Sequence, residues 1–341
     1  MLLRCSHLCC GESVTQTVRM AKVFVTRAVP GDGLDLLAKA GHDVTVWPGE
    51  LPPGPDLGPQ LRDADAAMTM VTDRIDAAIL SQAPKLKIAA NMAAGYDNFD
   101  RDAGEAAGVW MTNTPGVLQE TTADFAFALL LAAARNVVAS ERDTRDGGWK
   151  TWAPTLFLGP DVHGATLGII GLGEIGQAMA RRARGFGMRI LYTARSRKPA
   201  VEAMLGVEWV TQEELLRQSD FVSLHVPRTP ETTYLINRQT LAQMKSTAIL
   251  INTARGIVVD QDALVEAVRS GQIAGAALDV TDPEPLPLEH TLYSLPNVVI
   301  TPHIASASTA TRARMARMAA TNILAVLEGR TPPNPVNRLP Q

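Results

Sequence analysis

An α/β fold made of two doubly wound parallel sheets is what this sequence predicts, on three observations. Short apolar runs alternate with helix-like segments along nearly the whole chain, the pattern of a parallel sheet covered by helices on both faces. At 341 residues the chain is too long for one ordinary α/β domain and suits two. A glycine-rich turn near the middle lies between an apolar strand and a helix, and the alternation starts again there.

The first series runs from Val23. "VFVTR", "DVTVWP", "AAMTMV", "LKIAANM" and "GVWMTN" read as strands, each short and rich in Val, Met or Ala. Between them "GLDLLAKAG" and "IDAAILSQAP" read as helices, closed by Gly41 and Pro84. "PPGPDLGP" at 52–59 is a surface turn. One long helix is expected over "QETTADFAFALLLAAARNVVASERDTRDGG", with apolar residues around too much of its circumference for a surface helix. Packing against a second subunit would satisfy it.

After Gly164 the second series follows: "TLGIIGLG", "RILYTA", "FVSLHV", "AILINTA", "GAALDV" and "VVITPH". "TATRARMARMAATNILAVLEGR" closes the chain as an amphipathic helix ended by Gly329 and Pro332. No repeat of fixed period is present.

Composition narrows the function classes. Hydrophobic residues make up 46% and charged residues 20%, the balance of a globular protein. A net charge of -3 without a polybasic block gives no attraction to nucleic acid, and no apolar run reaches the roughly 18 residues that span a bilayer. All the cysteines, Cys5, Cys9 and Cys10, lie in the head, so neither a disulfide framework nor a thiolate nucleophile is expected in the body. "CSHLCC" with His7 lacks the paired halves of a zinc site, and no metal is predicted. The head also lacks the pattern of a secretory signal, while "MAKVFVTR" leads from Met20 directly into a strand. Residues 1–19 are therefore expected to be a disordered or non-native extension of a cytoplasmic protein.

"GLGEIG", Gly171 to Gly176, fits G-x-G-x-x-G in the context that makes the motif specific, after a strand and opening a helix. Gly171 permits the tight turn, Gly173 lets backbone approach a pyrophosphate, and Gly176 allows helix and strand to pack closely. The pyrophosphate would sit on the backbone of Gly171, Leu172, Gly173, Glu174, Ile175 and Gly176 at the helix N-terminus. In many such Rossmann-like units an acid about 20 positions beyond the first glycine holds the ribose 2'-hydroxyl. Here that window reads "LYTARSRK" and has no acid. Arg195, Ser196 and Arg197 instead supply the charge and hydroxyl that a 2'-phosphate requires, which predicts NADP(H), with NAD(H) as the weaker cofactor. The bland alternative is a solvated basic turn.

Three further ionisable residues stand just beyond strand ends: Arg255 after "ILINTA", Glu284 in "LDVTDPEP" and His303 after "VVITP". Singly they read as a surface turn, a solvated loop and a helix-cap neighbour. In doubly wound sheets ligands bind outside the carboxyl ends of the strands, so the three could share one crevice.

These residues also carry a resemblance. "NMAAGYDNFD", "TPGVLQETTADFAFALLLAAARN", "GIIGLGEIGQAMARRA", "INTARGIVVD", "ALDVTDPEPLP" and "TPHIAS" resemble the D-isomer-specific 2-hydroxyacid dehydrogenase family from about Met20 to Pro335. "WKTWAPTLFLGPDVHG" and "LYTARSRK" are most similar to its glyoxylate/hydroxypyruvate reductase branch. The resemblance implies that the cofactor domain, residues 119–304, is inserted into a discontinuous substrate domain of residues 20–118 and 305–335. It implies a homodimer acting on a small 2-oxo or 2-hydroxy acid, with NADPH-dependent reduction of glyoxylate to glycolate and of hydroxypyruvate to D-glycerate. Seventeen residues separate Gly176 from Ala194, which stands where NAD-specific relatives carry their acid.

Residue roles follow from the same resemblance. His303 would protonate the ketone oxygen and act as base in reverse, Glu284 would pair with it, and Arg255 would bind the substrate carboxylate and ketone. Backbone amides at Ala93, Ala94 and Gly95 would hold that carboxylate from the first domain. Thr122, His225, Val226, Pro227, Thr253, Ala254, Asp279, His303 and Ala305 would line the cofactor, Asp279 accepting from the nicotinamide carboxamide. Trp149 and Trp152 stay open between simple packing and, for Trp152, a reach into the neighbouring subunit's substrate site. His42, His163 and His290 receive no role.

The chemistry asks for these residue types independently. Reducing a 2-oxo acid builds alkoxide character on a carbonyl, so a proton donor that titrates near neutrality is needed, which suits histidine. Arginine's planar fork matches a carboxylate bidentately. Competing readings are a reductase of a larger 2-oxo acid, a phosphoglycerate type, and a non-catalytic dinucleotide sensor on the same fold. The basic "RSRK" argues against NAD-reading formate or phosphonate oxidation, and the presence of Arg255, Glu284 and His303 together argues against the sensor.

Overall fold

The computed structural model describes residues 20–339; the head carrying Cys5, His7, Cys9 and Cys10, and the expectation about it, lie outside the described residues. Strands β1 (Lys22–Val25), β2 (Asp43–Val46), β3 (Ala66–Thr69), β4 (Ile88–Asn91) and β5 (Trp110–Thr112) form one sheet. Its order is β2-β1-β3-β4-β5 and every pairing is parallel. Helices α1 (Gly33–Lys39), α2 (Leu57–Leu61), α3 (Ala77–Leu80) and α4 (Arg101–Ala107) make the crossovers. Alternation along the strands feeds two cores. Val23, Val25, Ile88 and Ala90 meet Leu37 on one face, while Phe24, Ala67, Ala89 and Met111 meet Leu57, Leu61 and Leu80 on the other.

The chain then leaves through α5 (Gln119–Ala134) and α6 (Val137–Arg145) into a second sheet. Its strands are β6 (Thr166–Ile170), β7 (Arg189–Thr193), β8 (Glu208–Trp209), β9 (Phe221–Leu224), β10 (Ile249–Asn252), β11 (Gly275–Leu278) and β12 (Val298–Ile300). They are ordered β12-β11-β10-β9-β6-β7-β8, again all parallel. Helices α7 (Glu174–Gly185), α8 (Pro199–Leu205), α9 (Gln212–Gln218), α10 (Arg238–Leu241) and α11 (Gln261–Arg269) connect them. Finally α12 (Thr309–Leu327) returns to the first sheet and packs on α1, β3 and β4, so the seven-stranded unit is inserted within the chain of the five-stranded one.

Two details depart from the sequence reading. The long helix is broken: Asn136 adopts the left-handed region at φ 51 between α5 and α6, which meet at 62°. Asparagine tolerates that conformation, and its side-chain amide donates to the Leu158 carbonyl at 3.0 Å, fixing the following segment against the break. The short edge strand β8 escaped notice because both of its residues are exposed and it has no apolar run.

Much of the apolar circumference of α5 is satisfied inside the chain, between α7 and strands β10, β11 and β12. Among the described residues no single helix is long and apolar enough to cross a membrane. Leu130 is fully buried in this core with Phe127, Met179 and Ile251. Leu130→Ala should cost about 2–5 kcal/mol. A denaturant-unfolding midpoint equal to that of the unmodified protein would contradict this placement of α5.

Candidate active site

The glycine turn is built where β6 ends. Gly171 sits at φ 97, and a Cβ there would lie 2.5 Å from the His225 carbonyl oxygen. A Cβ on Gly176 would lie 2.2 Å from the Gly171 carbonyl. Gly173 is different: it caps α7 without a side-chain bond, and nothing lies within 4 Å of where its Cβ would be. The first-turn N–H groups of α7, beginning at Glu174, Ile175 and Gly176, thus border open space, as anion binding at a helix N-terminus requires. β6 lies between β9 and β7, so the order switches there and a crevice opens beyond the carboxyl ends of β6 and β9.

Other predicted cofactor contacts border this crevice. His225, Val226 and Pro227 follow β9, and burial pushes the His225 imidazole down to about 4, with its Nε2 2.9 Å from Ser223 Oγ. That ring is uncharged at neutral pH. Thr122 is buried near the start of α5, Leu172, Ala254 and Ala305 are buried, and Thr253 Oγ1 is buried with no partner. An orphaned hydroxyl and an open glycine cradle, both just beyond the carboxyl ends of strands in one sheet, fit a bound dinucleotide.

At the far end of the crevice β7 leads to Ala194 and the basic turn. Arg195 and Ser196 are exposed. Arg197 is committed elsewhere: Nε donates to Glu202 Oε1 at 2.9 Å and Nη2 to Oε2 at 2.8 Å. Tyr192, fully buried, donates its hydroxyl to Glu202 at 2.7 Å and accepts the Lys198 amide at 2.7 Å. The Lys198 ammonium donates to the Leu172 carbonyl within the glycine turn at 2.9 Å. The sequence grouped Arg195, Ser196 and Arg197 as equals, counted Lys198 only as part of the same basic run, and overlooked Tyr192 and Glu202.

His303 and Glu284 are brought together, Nδ1 lying 3.0 Å from Oε2, with both side chains about one-third exposed. Asp279 makes the turn beneath them. Its Oδ1 accepts from Thr301 Oγ1 at 2.7 Å and from the Ile304 amide at 2.9 Å, and its Oδ2 accepts from the Ala305 amide at 2.7 Å. His303 holds φ 53 there, in the left-handed region. A strained backbone at an ionisable residue in a cleft is the arrangement found at working sites.

Arg255 follows β10, and Asn252 shapes its loop by accepting from the Ala254 amide and donating to the Arg255 carbonyl. The guanidinium crosses to the loop after β4, where a Cβ on Gly95 would lie 1.8 Å from Nη2. The carbonyls of this loop are all taken: Ala93 by the Thr114 amide, Ala94 by Asn113 and Gly95 by Asn91. Its amides are the groups left to meet a ligand. Arg255 also pairs with Asp97, which stands inside "GYDN" but was passed over because nothing local marks it. Trp149 and Trp152 are 60% and 78% exposed within the chain.

Residues 127–305 match the model of the D-isomer specific 2-hydroxyacid dehydrogenase NAD binding domain. A glyoxylate reductase of Korarchaeum cryptofilum is 53% identical over 319 residues, 93% of this chain and 96% of that protein. One from Thermococcus kodakarensis is 52% identical over 322 residues, again 93% and 96%. The chain belongs to the D-isomer specific 2-hydroxyacid dehydrogenases. A crystal structure from this family, an NADPH-dependent glyoxylate/hydroxypyruvate reductase of Sinorhizobium meliloti with NADP and malonate, superposes with a TM-score of 0.81 at 32% identity, covering 93% of this chain and 96% of that one. A Thermus thermophilus protein superposes at 0.88 with 53% identity, covering 92% and 99%. The chain is thus an NAD(P)-dependent oxidoreductase with a dinucleotide-binding domain.

In this dehydrogenase the two histidines of the cleft differ in partners, Ser223 for His225 and Glu284 for His303. His225, held neutral by desolvation, should show ring NMR shifts that do not move between pH 6 and pH 8. A titrating His225 signal in that interval would contradict the buried setting.

Proposed function

We propose that this chain reduces glyoxylate to glycolate and hydroxypyruvate to D-glycerate, with NADPH as the preferred cofactor and NADH as a weaker one. The observation that carries the reading is the His303–Glu284 pair at 3.0 Å, beyond the carboxyl ends of the sheet that carries the glycine turn, in a chain half identical to glyoxylate reductases.

The roles follow from where each group stands. The substrate carboxylate rests on the Arg255 fork and the amides of Ala93, Ala94 and Gly95. Glu284 takes Nδ1 of His303, which fixes the tautomer and leaves Nε2 for the ketone oxygen. His303 donates its Nε2 proton to that oxygen as alkoxide character builds, and takes it back in reverse. General acid catalysis of this kind contributes about 100- to 10,000-fold. The dinucleotide, when bound, supplies the hydride. Thr122, Thr253, Ala254 and Ala305 line its site, and Asp279, whose oxygens keep unused lone pairs, accepts from its carboxamide. His225, Val226 and Pro227 wall the pyrophosphate side opposite Gly171–Gly176.

Cofactor choice rests on the missing acid at Ala194 and the exposed Arg195 and Ser196, with Arg197 beside them on Glu202. The protein that is seated with NADP in its crystal structure shares this fold. On the same reading the domains divide into 20–118 with 305–335 and 119–304, the enzyme works in the cytoplasm, and a second copy covers exposed Trp149 and Trp152, the latter reaching the neighbouring substrate site.

Steady-state rates for a panel of 2-oxo acids, each with NADPH and NADH, test this. The highest kcat/KM is expected for glyoxylate and hydroxypyruvate with NADPH; a preference for branched or aromatic 2-oxo acids would overturn the substrate assignment. Arg195→Ala combined with Arg197→Ala should raise KM for NADPH far more than for NADH. An equal rise for both would make the basic turn only a turn.

A further inference from the structure

The Arg255–Asp97 contact joins residues from the two sheets. Arg255 Nε donates to Asp97 Oδ1 at 3.0 Å and Nη2 lies 3.0 Å from the same oxygen, while Nη1 donates to the Ala254 carbonyl at 2.8 Å. Both side chains are roughly three-quarters buried. A guanidinium has two bidentate edges, one formed by Nε with Nη2 and the other by Nη1 with Nη2. Asp97 takes the first edge. The second is left over the backbone of Gly95, where the absence of a side chain is what lets Nη2 approach so closely.

Burial on its own would raise the Asp97 carboxyl, but the Arg255 charge and hydrogen bond, helped by Arg228, hold it below the usual carboxylate range. The pair is therefore ionised. A long, rotatable arginine side chain would otherwise sample many directions, and ordering it on substrate binding costs on the order of 1 kcal/mol or more.

We propose that Asp97 is a positioning residue for this dehydrogenase: its carboxylate grips the Nε–Nη2 edge of Arg255 from across the cleft and turns the Nη1–Nη2 edge toward the carboxylate of the 2-oxo acid. This rests on the reading of Arg255 as the carboxylate ligand. Asp97 touches neither substrate nor cofactor in the scheme and acts through Arg255 alone. Its removal should loosen the grip on the carboxylate in ground state and transition state alike, which raises KM and leaves kcat nearly unchanged.

The test uses the full chain with Asp97→Asn, which keeps the volume and removes the charge, and Asp97→Ala. Glyoxylate KM and the inhibition constant of oxamate, an unreactive 2-oxo monocarboxylate analogue, should rise together by about tenfold in both variants, roughly the worth of one charge-assisted hydrogen bond. The kcat and the KM for NADPH should stay within about twofold, and thermal midpoints report whether each variant is folded. In an Arg255→Ala background, adding Asp97→Ala should change the oxamate constant by less than about twofold, because the two residues act as one unit.

Unchanged KM and inhibition constants in folded variants would overturn the proposal. So would tighter oxamate binding, which would make Asp97 a competitor for the fork, or an undiminished effect in the Arg255→Ala background. Wild-type protein that reduces no 2-oxo acid would fail the parent reading and this one together; normal wild-type turnover with unmoved constants in the variants would fail this one alone.

Discussion

Asp279 is 1% exposed, and each of its oxygens is tied into one short turn, through the Thr301 hydroxyl and the amides of Ile304 and Ala305. A buried carboxylate costs several kcal/mol unless it is fully hydrogen-bonded, so the turn can shift only by stranding that charge. This constraint holds His303 at φ 53, a conformation that costs on the order of 1–3 kcal/mol outside glycine. With the backbone fixed there, the imidazole meets Glu284 without a long search of conformations. The His303–Glu284 pair is therefore set by a group that lies beneath it.

Sheet topology supplies the rest of the convergence. Parallel strands deliver all their carboxyl ends to one edge, and at that edge β6 and β9 part to make the crevice. Gly171 and the His225 carbonyl nearly touch across it, so the crevice floor is tight while the space above Gly173 is open. The loop after β10 then extends Arg255 to the loop after β4 of the other sheet. Loops from both sheets thus meet where Arg255 reaches Asp97 and Gly95.

How much of this was legible follows from distance along the chain. Strands buried on both faces, such as "GIIG" and "ILIN", are continuous apolar runs and stand out in a sequence, as does a glycine motif set between strand and helix. Placing His303, Glu284 and Arg255 beyond strand ends was equally readable. The break at Asn136 was not, because asparagine is unremarkable in a helical pattern and the decisive bonds come from Phe157 and Leu158, more than 20 residues on. Asp97 and Arg255 are 158 positions apart, and no local pattern joins them. Arg197 and Glu202 are only five apart, yet their pairing depends on how Tyr192 holds the turn, which composition does not reveal.

The proposed mechanism depends most directly on His303 as the group that moves the proton. Replacing it with asparagine keeps a polar side chain at a position whose backbone suits asparagine, and leaves the glycine turn untouched. Glyoxylate reduction by His303→Asn should fall by at least about a hundredfold while NADPH still binds, as followed by fluorescence of the bound cofactor. NADPH-dependent reduction at the unmodified rate would contradict the account.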